Sequence, residues 1–377
     1  MRGADPVVSI ASRNLFHDRT RLAVSAGGVG FAIMLVLILA ATFDGFDRQV
    51  GLQLENSGAD LYVGQAGIVD SFHSFSILPL NLSVELATVP GVDRVCAIIQ
   101  RTVEIHTAND EHPRVVVVGY NETHNTAAPW KVKEGARLPG EGEIVIDEVL
   151  ARKNELSVGS EVAIGDRIFQ VAGISEETNL FISQYAFVRF QDLQGLVLPP
   201  GTATYFLVEI AEGANLRTVQ AEIENRYGGI DAYTVDEFVS NNREYIGQAF
   251  MPILFVLYVI GFVIGITVIG LTVYTATMER AREYGILKAI GAGNGRLVRI
   301  VLGQALLLAL FGFLMGLAIT AGVAYLIGFA VPEMPLYFQL GMLPRVLAAA
   351  VAMSAIATLL PMRRIARIDP AQIFRRG

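Results

Sequence analysis

His73, His106, His112, His124 and the lone cysteine, Cys96, are side chains of this 377-residue sequence that could ligate a transition metal or act as a nucleophile. Their arrangement argues against both roles. The histidines are not spaced as ligands on one helix, and no His-x-x-Glu-His, Gly-x-Ser-x-Gly or Cys-x-x-Cys occurs. Cys96 is flanked by Val95, Ala97, Ile98 and Ile99, which suits a buried strand position, and a single cysteine allows no internal disulfide. Acidic residues are numerous, but such residues form a solvated face more often than a catalytic pair. The expectation is a chain with no catalytic residues, no resident metal and no cofactor of its own.

The stretch "TMERAREYGILKAIGAGNGRLVRI", residues 277 to 300, offers a second chemistry. Glycine-rich turns before helices cradle phosphates. Yet "GAGNGRL" lacks the Lys followed by Ser or Thr of a P-loop, no Gly-Lys pair occurs in the chain, and no buried strand precedes the turn. A mechanical reading remains. "MERAREYGILKAI" can form a helix with Arg280, Arg282 and Glu283 on one part and Ile286, Leu287 and Ile290 as a small apolar face, and Gly291, Gly293 and Gly295 let the chain reverse. Such a helix could lie on lipid, fill a groove of a partner protein, or simply link two spans.

The elements that hold this stretch are unusually apolar. Hydrophobic residues make up 53% of the chain and charged ones 17%, which points to a membrane protein with a soluble part. Leu22 to Phe43, Tyr245 to Met278, Ile300 to Pro332 and Val346 to Met362 carry no charge. A bilayer core needs about 20 apolar residues as a helix, and four transmembrane helices follow. Their expected bounds are 22–43, 246–278, 300–328 and 340–362. Arg345 falls near an end of the fourth, where it either snorkels to the interface or faces inward for function. Ala40 and Ala41 could end a cleaved signal peptide, but the first run exceeds the roughly 7 to 15 residues of a signal core, and its removal would leave an odd number of spans. Gly261 with Gly265 and Gly312 with Gly316 are G-x-x-x-G pairs, candidates for close helix packing or for contact between two copies.

Residues 44 to 245 hold 14 Lys and Arg against 30 Asp and Glu, whereas the 279–299 loop holds five basic and two acidic residues and both flanking segments, 1–21 and 363–377, are also basic. The positive-inside rule then puts both termini and the 279–299 loop in the cytoplasm and the acidic segment, with the short 329–339 loop, outside. The acidic segment reads as mixed α and β. "ADLYVG", "TVEIHT", "RVVVVGY" and "TYFLVEI" are strand-like; "GEIVIDEVLARKNELSVGSEVAIGDRIFQVAGI" reads as a strand, a short helix and a hairpin turning at Gly165-Asp166; "LRTVQAEIENRYG" has helical spacing. "FVSNNREYIGQAF" could continue the second span out of the bilayer as one rod.

Taken together, "ERAREYGILKAIGA", the terminal "LLPMRRIARIDPAQIFRRG", the leading "ASRNLFHDRTRLAVSAGGV" and the outer "GEIVIDEVLARKNELSVGSEVAIGDRIFQVAGI" resemble the FtsX-like permeases, membrane subunits of MacB-type (type VII) ABC transporters. Tyr284, Gly293-Asn294-Gly295, Leu360 and Met362 depart from that pattern. The resemblance implies four transmembrane helices with a large extracytoplasmic α+β domain, MacB-like periplasmic core, between the first and second, in a bacterial inner membrane. It implies a coupling helix within 283–292 that docks in a separate ATPase subunit, with Glu279, Arg282, Glu283, Gly285, Leu287, Lys288, Gly291 and Ala292 transmitting the ATP cycle. ATP and Mg would be bound by that partner. The other partners implied are a second permease chain, identical or not, membrane lipids, and a periplasmic or extracellular adaptor; no nucleic acid is expected. The function implied is export or mechanotransmission, with control of a cell-wall hydrolase through the outer domain as the alternative.

Overall fold

The structure, a computed structural model, describes residues 19–71, 75–109, 111–180, 183–290, 292–331, 333–334 and 336–366. His73, Gly291, most of the N-terminal segment and most of the C-terminal tail lie outside the described residues. The chain divides into two compact units: a helical one, made of the first helix up to Asp44, Met251–Val331 and the chain from Leu336, and an α+β one made of Gly45–Phe250 with Pro332–Pro335.

In chain order the elements are α1 Arg19–Glu55, β1 Leu61–Gln65, β2 Leu78–Pro79, α2 Leu82–Leu86, β3 Val92–Thr107, β4 Arg114–Tyr120, β5 Val132–Gly135, β6 Glu143–Asp147 and α3 Glu148–Lys153. There follow β7 Glu161–Ile164, β8 Arg167–Ser175, β9 Asn179–Leu180, β10 Ser183–Arg189, α4 Phe190–Leu193, β11 Thr202–Ala203, β12 Tyr205–Ile210, α5 Leu216–Arg226 and β13 Ile230–Thr234. The chain closes with α6 Val235–Glu279, α7 Ala281–Ala289, α8 Asn294–Ala330, α9 Met342–Ala357 and α10 Leu359–Ala366.

Four helical stretches are long and apolar enough to cross a membrane: Leu22–Glu55, Val235–Glu279, Asn294–Ala330 and Met342–Arg364. Their bounds differ from those read in the sequence. α1 continues 12 residues past Phe43, through Asp44, Asp47 and Arg48, because charge ends an apolar run without ending a helix. α8 begins at Asn294 rather than 300. The fourth stretch breaks: α9 stops at Ala357 and α10 starts at Leu359. Pro361 explains the break, since it has no N–H to give the carbonyl of Ala357 and its ring crowds that carbonyl. Thr358 N still bonds Ser354 O at 3.2 Å and Met362 N bonds Thr358 O at 3.0 Å, so the interruption is one residue wide.

The helical unit packs through small residues. Val29, Ile33 and Leu37 of α1 join Val301, Leu308 and Phe313 of α8 in one buried cluster. A Cβ placed on Gly312 would lie 2.4 Å from Val29 Cγ1, and one on Gly316 would lie 2.8 Å from Ile33 Cγ2. The same test puts Gly261 3.4 Å from Val36 Cγ2 and Gly265 2.5 Å from Met353 Sδ. All four glycines of the G-x-x-x-G pairs therefore face helices of the same chain, and their missing side chains let backbones approach.

In the α+β unit, eleven strands of described residues form one sheet with the path β13-β1-β12-β3-β4-β10-β6-β8-β5; β7 pairs with β3 and β8, and β9 with β10. The 16-residue β3 spans both halves: Val92–Ile98 pairs with β12 and Ile99–Glu104 with β4. "RVVVVGY" becomes β4, between antiparallel β3 and parallel β10, and is buried along nearly its whole length because both faces are covered: Val115 and Val117 join one buried cluster, Val116 and Val118 another. The Gly165-Asp166 turn joins β7 and β8, with Gly165 at φ +61°, a conformation that costs glycine nothing. Cys96 is buried on β3, where Thr126 Oγ1 donates to its Sγ at 3.3 Å and burial pushes the thiol up.

Candidate functional site

α6 reaches the 279–299 segment from the α+β unit without a break in 45 residues, carrying Pro252 inside it. Its start is fixed by a capping box. Glu237 N donates to Thr234 Oγ1 at 3.2 Å, and Thr234 N donates to Glu237 Oε2 at 3.0 Å, so two helix-terminal donors are satisfied reciprocally. Glu237 is partly desolvated, which would raise its carboxyl. The hydrogen bonds from Arg217, Thr234 and Gln220 prevail and hold it down at about 2.

Beyond Glu279 the chain turns at Arg280 and forms the nine-residue α7, followed by Ile290 and, at the N-cap of α8, Gly293. Tyr284 N bonds Arg280 O at 3.1 Å, Ile290 N bonds Ile286 O at 3.1 Å, and Ala292 N bonds Leu287 O at 2.9 Å. Gly293 has φ −66° and ψ 151°, which any residue adopts, and Gly295 lies inside α8. The expectation that Gly293 and Gly295 turn the chain by their freedom is thus corrected: neither adopts a glycine-only conformation, and Gly293 serves as the N-cap of α8, its oxygen accepting from Arg296 N at 3.0 Å.

The side chains of α7 divide into two faces. Tyr284 and Gly285 are buried, and Leu287 packs on the membrane-unit cluster that includes Tyr284. Arg282, Glu283, Ile286, Ala289 and Ile290 are exposed, with Ile286 at 43% and Ile290 at 76%. Glu279 is also exposed, and Lys288 and Ala292 are half-buried. The apolar trio read from the sequence is therefore split, because Leu287 is rotated 100° from Ile286 around a helix and roots α7 instead of facing out. Of the eight expected transmission residues, Glu279, Arg282 and Glu283 share the outer side, Gly285 and Leu287 the inner. Arg280 Nη1 lies 3.8 Å from Glu283 Oε2, one turn away. Ile286 and Ile290, the exposed apolar pair, are grouped with Leu287 in the sequence and fall outside the expected transmission residues; the signal that sets them together is their i, i+4 spacing.

Two other places hold chemistry. Within the helical unit, a cavity of about 400 Å³ is lined mainly by apolar residues such as Val36, Phe262 and Met353, together with Asp44, Tyr258 and Arg345. Arg345 lies in the first turn of α9, exposed, donating from Nε to Gly341 O at 3.1 Å, and forms no ion pair among the described residues. In the α+β unit the buried carboxylates Asp147 and Asp192 serve the fold. Asp147 Oδ1 accepts from Val149 N at 2.8 Å and caps α3, while its Oδ2 accepts from Thr178 Oγ1 at 2.7 Å; burial nevertheless raises the carboxyl to about 6. Asp192 accepts from Arg167 and Arg189, and although burial pushes it up, Arg189 holds it below its ordinary value. On the hairpin of β3 and β4 the ligand atoms of Glu104, His106 and His112 lie within 4.8 Å of one another, a grouping that the search for helical spacing passed over.

Residues 22–226 match the model of the MacB-like periplasmic core domain, and residues 250–370 that of the FtsX-like permease C-terminal region. Over 97% of its length the chain is 23% identical to an uncharacterized ABC transporter permease of Mycobacterium bovis, covering 98% of that protein. It is 25% identical, over 58% of its length, to a probable export ATP-binding/permease protein MacB of Pseudomonas entomophila, of which it covers 34%, about a third. A pyoverdine export ATP-binding/permease protein of Pseudomonas savastanoi pv. phaseolicola is 22% identical over 96% of this chain and 58% of its own length. With four membrane-length apolar stretches, a sheet domain after the first, and both family models matched in that order, the chain is a multi-pass membrane protein and belongs to the MacB/FtsX-like family of ABC transporter permeases.

Proposed function

We propose that this chain couples ATP hydrolysis in a separate nucleotide-binding subunit to export or mechanotransmission by its outer domain. The observation that carries the reading is the two-faced α7: Tyr284 and Leu287 root it in the membrane-unit core while Arg282, Glu283, Ile286 and Ile290 stay outside. An apolar pair flanked by charges on a short helix suits the groove of a protein partner, where the apolar pair supplies affinity and the charges set register. ATP and Mg belong to that partner. On this reading α7 is cytoplasmic, as are both termini, the membrane is the bacterial inner membrane, and the acidic α+β unit lies outside.

Transmission follows from continuity. α7 is one residue from the end of α6, and α6 is one helix from its capping box at Thr234 to Glu279. A push on α7 enters α6 across one residue, with no loop to absorb it, and runs up a helix whose ladder lacks one hydrogen bond, at Pro252. The permease works as a dimer, of like or unlike chains. The apolar residues Phe255, Val256, Val259, Ile260 and Val263, exposed on α6, support a second helix or lipid covering them. An adaptor on the outer domain is a further partner of the same reading.

Co-purification tests it. The full chain expressed with its ATPase subunit should form a stable complex whose ATP hydrolysis depends on the chain. Isolation of the chain alone under the same conditions, with no change in hydrolysis on mixing, overturns the reading.

A further inference from the structure

We propose that Glu104, His106 and His112 form a binding site for one divalent transition-metal ion of the zinc class, independently of the coupling role above. The hairpin register brings the three together. Val103 pairs with Val115 and Glu104 with Arg114, and the main chain continues in step, Ile105 N bonding Pro113 O at 3.0 Å and Thr107 N bonding Glu111 O at 3.1 Å. His106 therefore stands directly opposite His112. Side chains alternate along a strand, so Glu104, two residues before His106, is on the same face. The two imidazole rings meet edge to face with centroids 4.5 Å apart.

The distances suit a metal. The three ligand atoms lie within 4.8 Å of one another, and tetrahedral ligands on zinc stand about 3.4 Å apart, as bonds of about 2.0 to 2.1 Å require. All three residues are exposed, so the closing movement, at most about 1.4 Å, is one for side chains rather than for the paired backbone. The backbone beneath is held: Ile105 is fully buried, and β3 is paired on its other edge with β7 through Ile105 with Ile164 and His106 with Ala163.

The donor set decides the class of ion. Two imidazole nitrogens and one carboxylate oxygen favour Zn²⁺, Co²⁺, Ni²⁺ or Cu²⁺; calcium and magnesium prefer all-oxygen sites, and soft Cu⁺ prefers sulfur. Three protein ligands leave a coordination position open for water or for a group from another molecule.

The test uses the full chain in detergent, its affinity tag removed and its metal stripped by chelator. Co²⁺ titration followed by visible absorption should show one ion per chain, displaced by Zn²⁺. His106→Ala and His112→Ala should each weaken Co²⁺ and Zn²⁺ binding at least tenfold, Glu104→Gln by less, and His124→Ala, an exposed histidine elsewhere on the α+β unit, not at all. Should an alanine variant lose its native circular dichroism, His112→Gln replaces it and must show the same loss. Absence of stoichiometric binding, one ion shared by two chains, unchanged affinity in both histidine variants, or an equal loss in His124→Ala would overturn the assignment.

Discussion

Arg243 on α6 donates from Nε to the main-chain oxygen of Asp47 on α1 at 3.0 Å, and its Nη2 reaches Glu55 Oε1 at 3.0 Å. One guanidinium thus ties the two helices where both belong to the α+β unit. Stacking of Phe46 on Phe250, with centroids 5.6 Å apart, seals the same pair of helices nearby. Gly51 makes room: a Cβ there would lie 2.5 Å from Arg243 Nη2.

Removing the tie should loosen this helix pair. Arg243→Ala is expected to cost about 1 to 2 kcal/mol, since one bond is to a main-chain oxygen and the other is a partly exposed ion pair. Gly51→Ala should be close to neutral in the native chain, where the displaced guanidinium offsets the gain in helix propensity, and should stabilise by about 0.5 to 1 kcal/mol in the Arg243→Ala background. Thermal unfolding of the detergent-solubilised chain measures both. An equal effect of Gly51→Ala in the two backgrounds would show that the glycine serves something other than the guanidinium.

Asp147 makes stability depend on pH. Burial raises its carboxyl from 3.8 to about 6, so the folded chain holds this proton more tightly than the unfolded chain. Its contribution is complete below about pH 4, is lost as pH rises through about 6, and is level above that. The loss is on the order of 2 to 3 kcal/mol. Asp147→Asn should flatten the stability profile between those pH values and raise the melting temperature at pH 7, because the amide oxygen can still accept from Val149 N. A profile unchanged by the substitution would refute the account.

The outer face of α7 is predicted to bind and the inner face to hold the fold. Ile286→Asp and Ile290→Asp should each weaken association with the proposed nucleotide-binding subunit tenfold or more, as the loss of one buried isoleucine at an interface implies, with melting temperature unchanged. Tyr284→Ala should instead destabilise the chain itself by about 2 kcal/mol or more. Pull-down beside thermal unfolding separates the two. If the aspartates leave association intact, α7 is a link between helices and no more.

Gly312 and Val29 are predicted to be coupled. Gly312→Ala forces a methyl into a gap that Val29 occupies and should cost about 1 to 3 kcal/mol. Val29→Ala in the same chain should restore only the part due to Cγ1, because the Cβ that stands 2.6 Å from the added methyl remains, and alone it is destabilising. The double-mutant cycle, read by thermal unfolding, is expected to give a favourable interaction term; simple additivity would mean the helices separate rather than collide.

Much of the architecture was legible because its causes are local. "RVVVVGY" is apolar at every position that a doubly covered strand buries, Gly165-Asp166 is turn chemistry, and the apolar runs have membrane length. The break at Thr358 could also have been read, from Pro361. What escaped depends on partners distant in the chain. His106 and His112 meet only through hairpin register, a period-2 relation that a search for helical spacing misses. Glu333 was read as part of a short outer loop, yet its carboxylate lies 2.5 Å from Lys153 Nζ and is held below its ordinary value by that hydrogen bond, a pairing 180 residues apart. Leu287 looked equivalent to Ile286 until the core behind α7 was in place to take one and leave the other.

The length of α6 sets a mechanical gain. At about 1.5 Å per residue the part of α6 that belongs to the helical unit, Met251–Glu279, makes an arm of about 44 Å. Pivoted about its Glu279 end, that arm swings Met251 by about 0.8 Å for each degree. A rotation of about 5° therefore becomes a stroke of about 4 Å at Met251. Small angular work at one end is thus geared into displacement of most of a helical turn at the other.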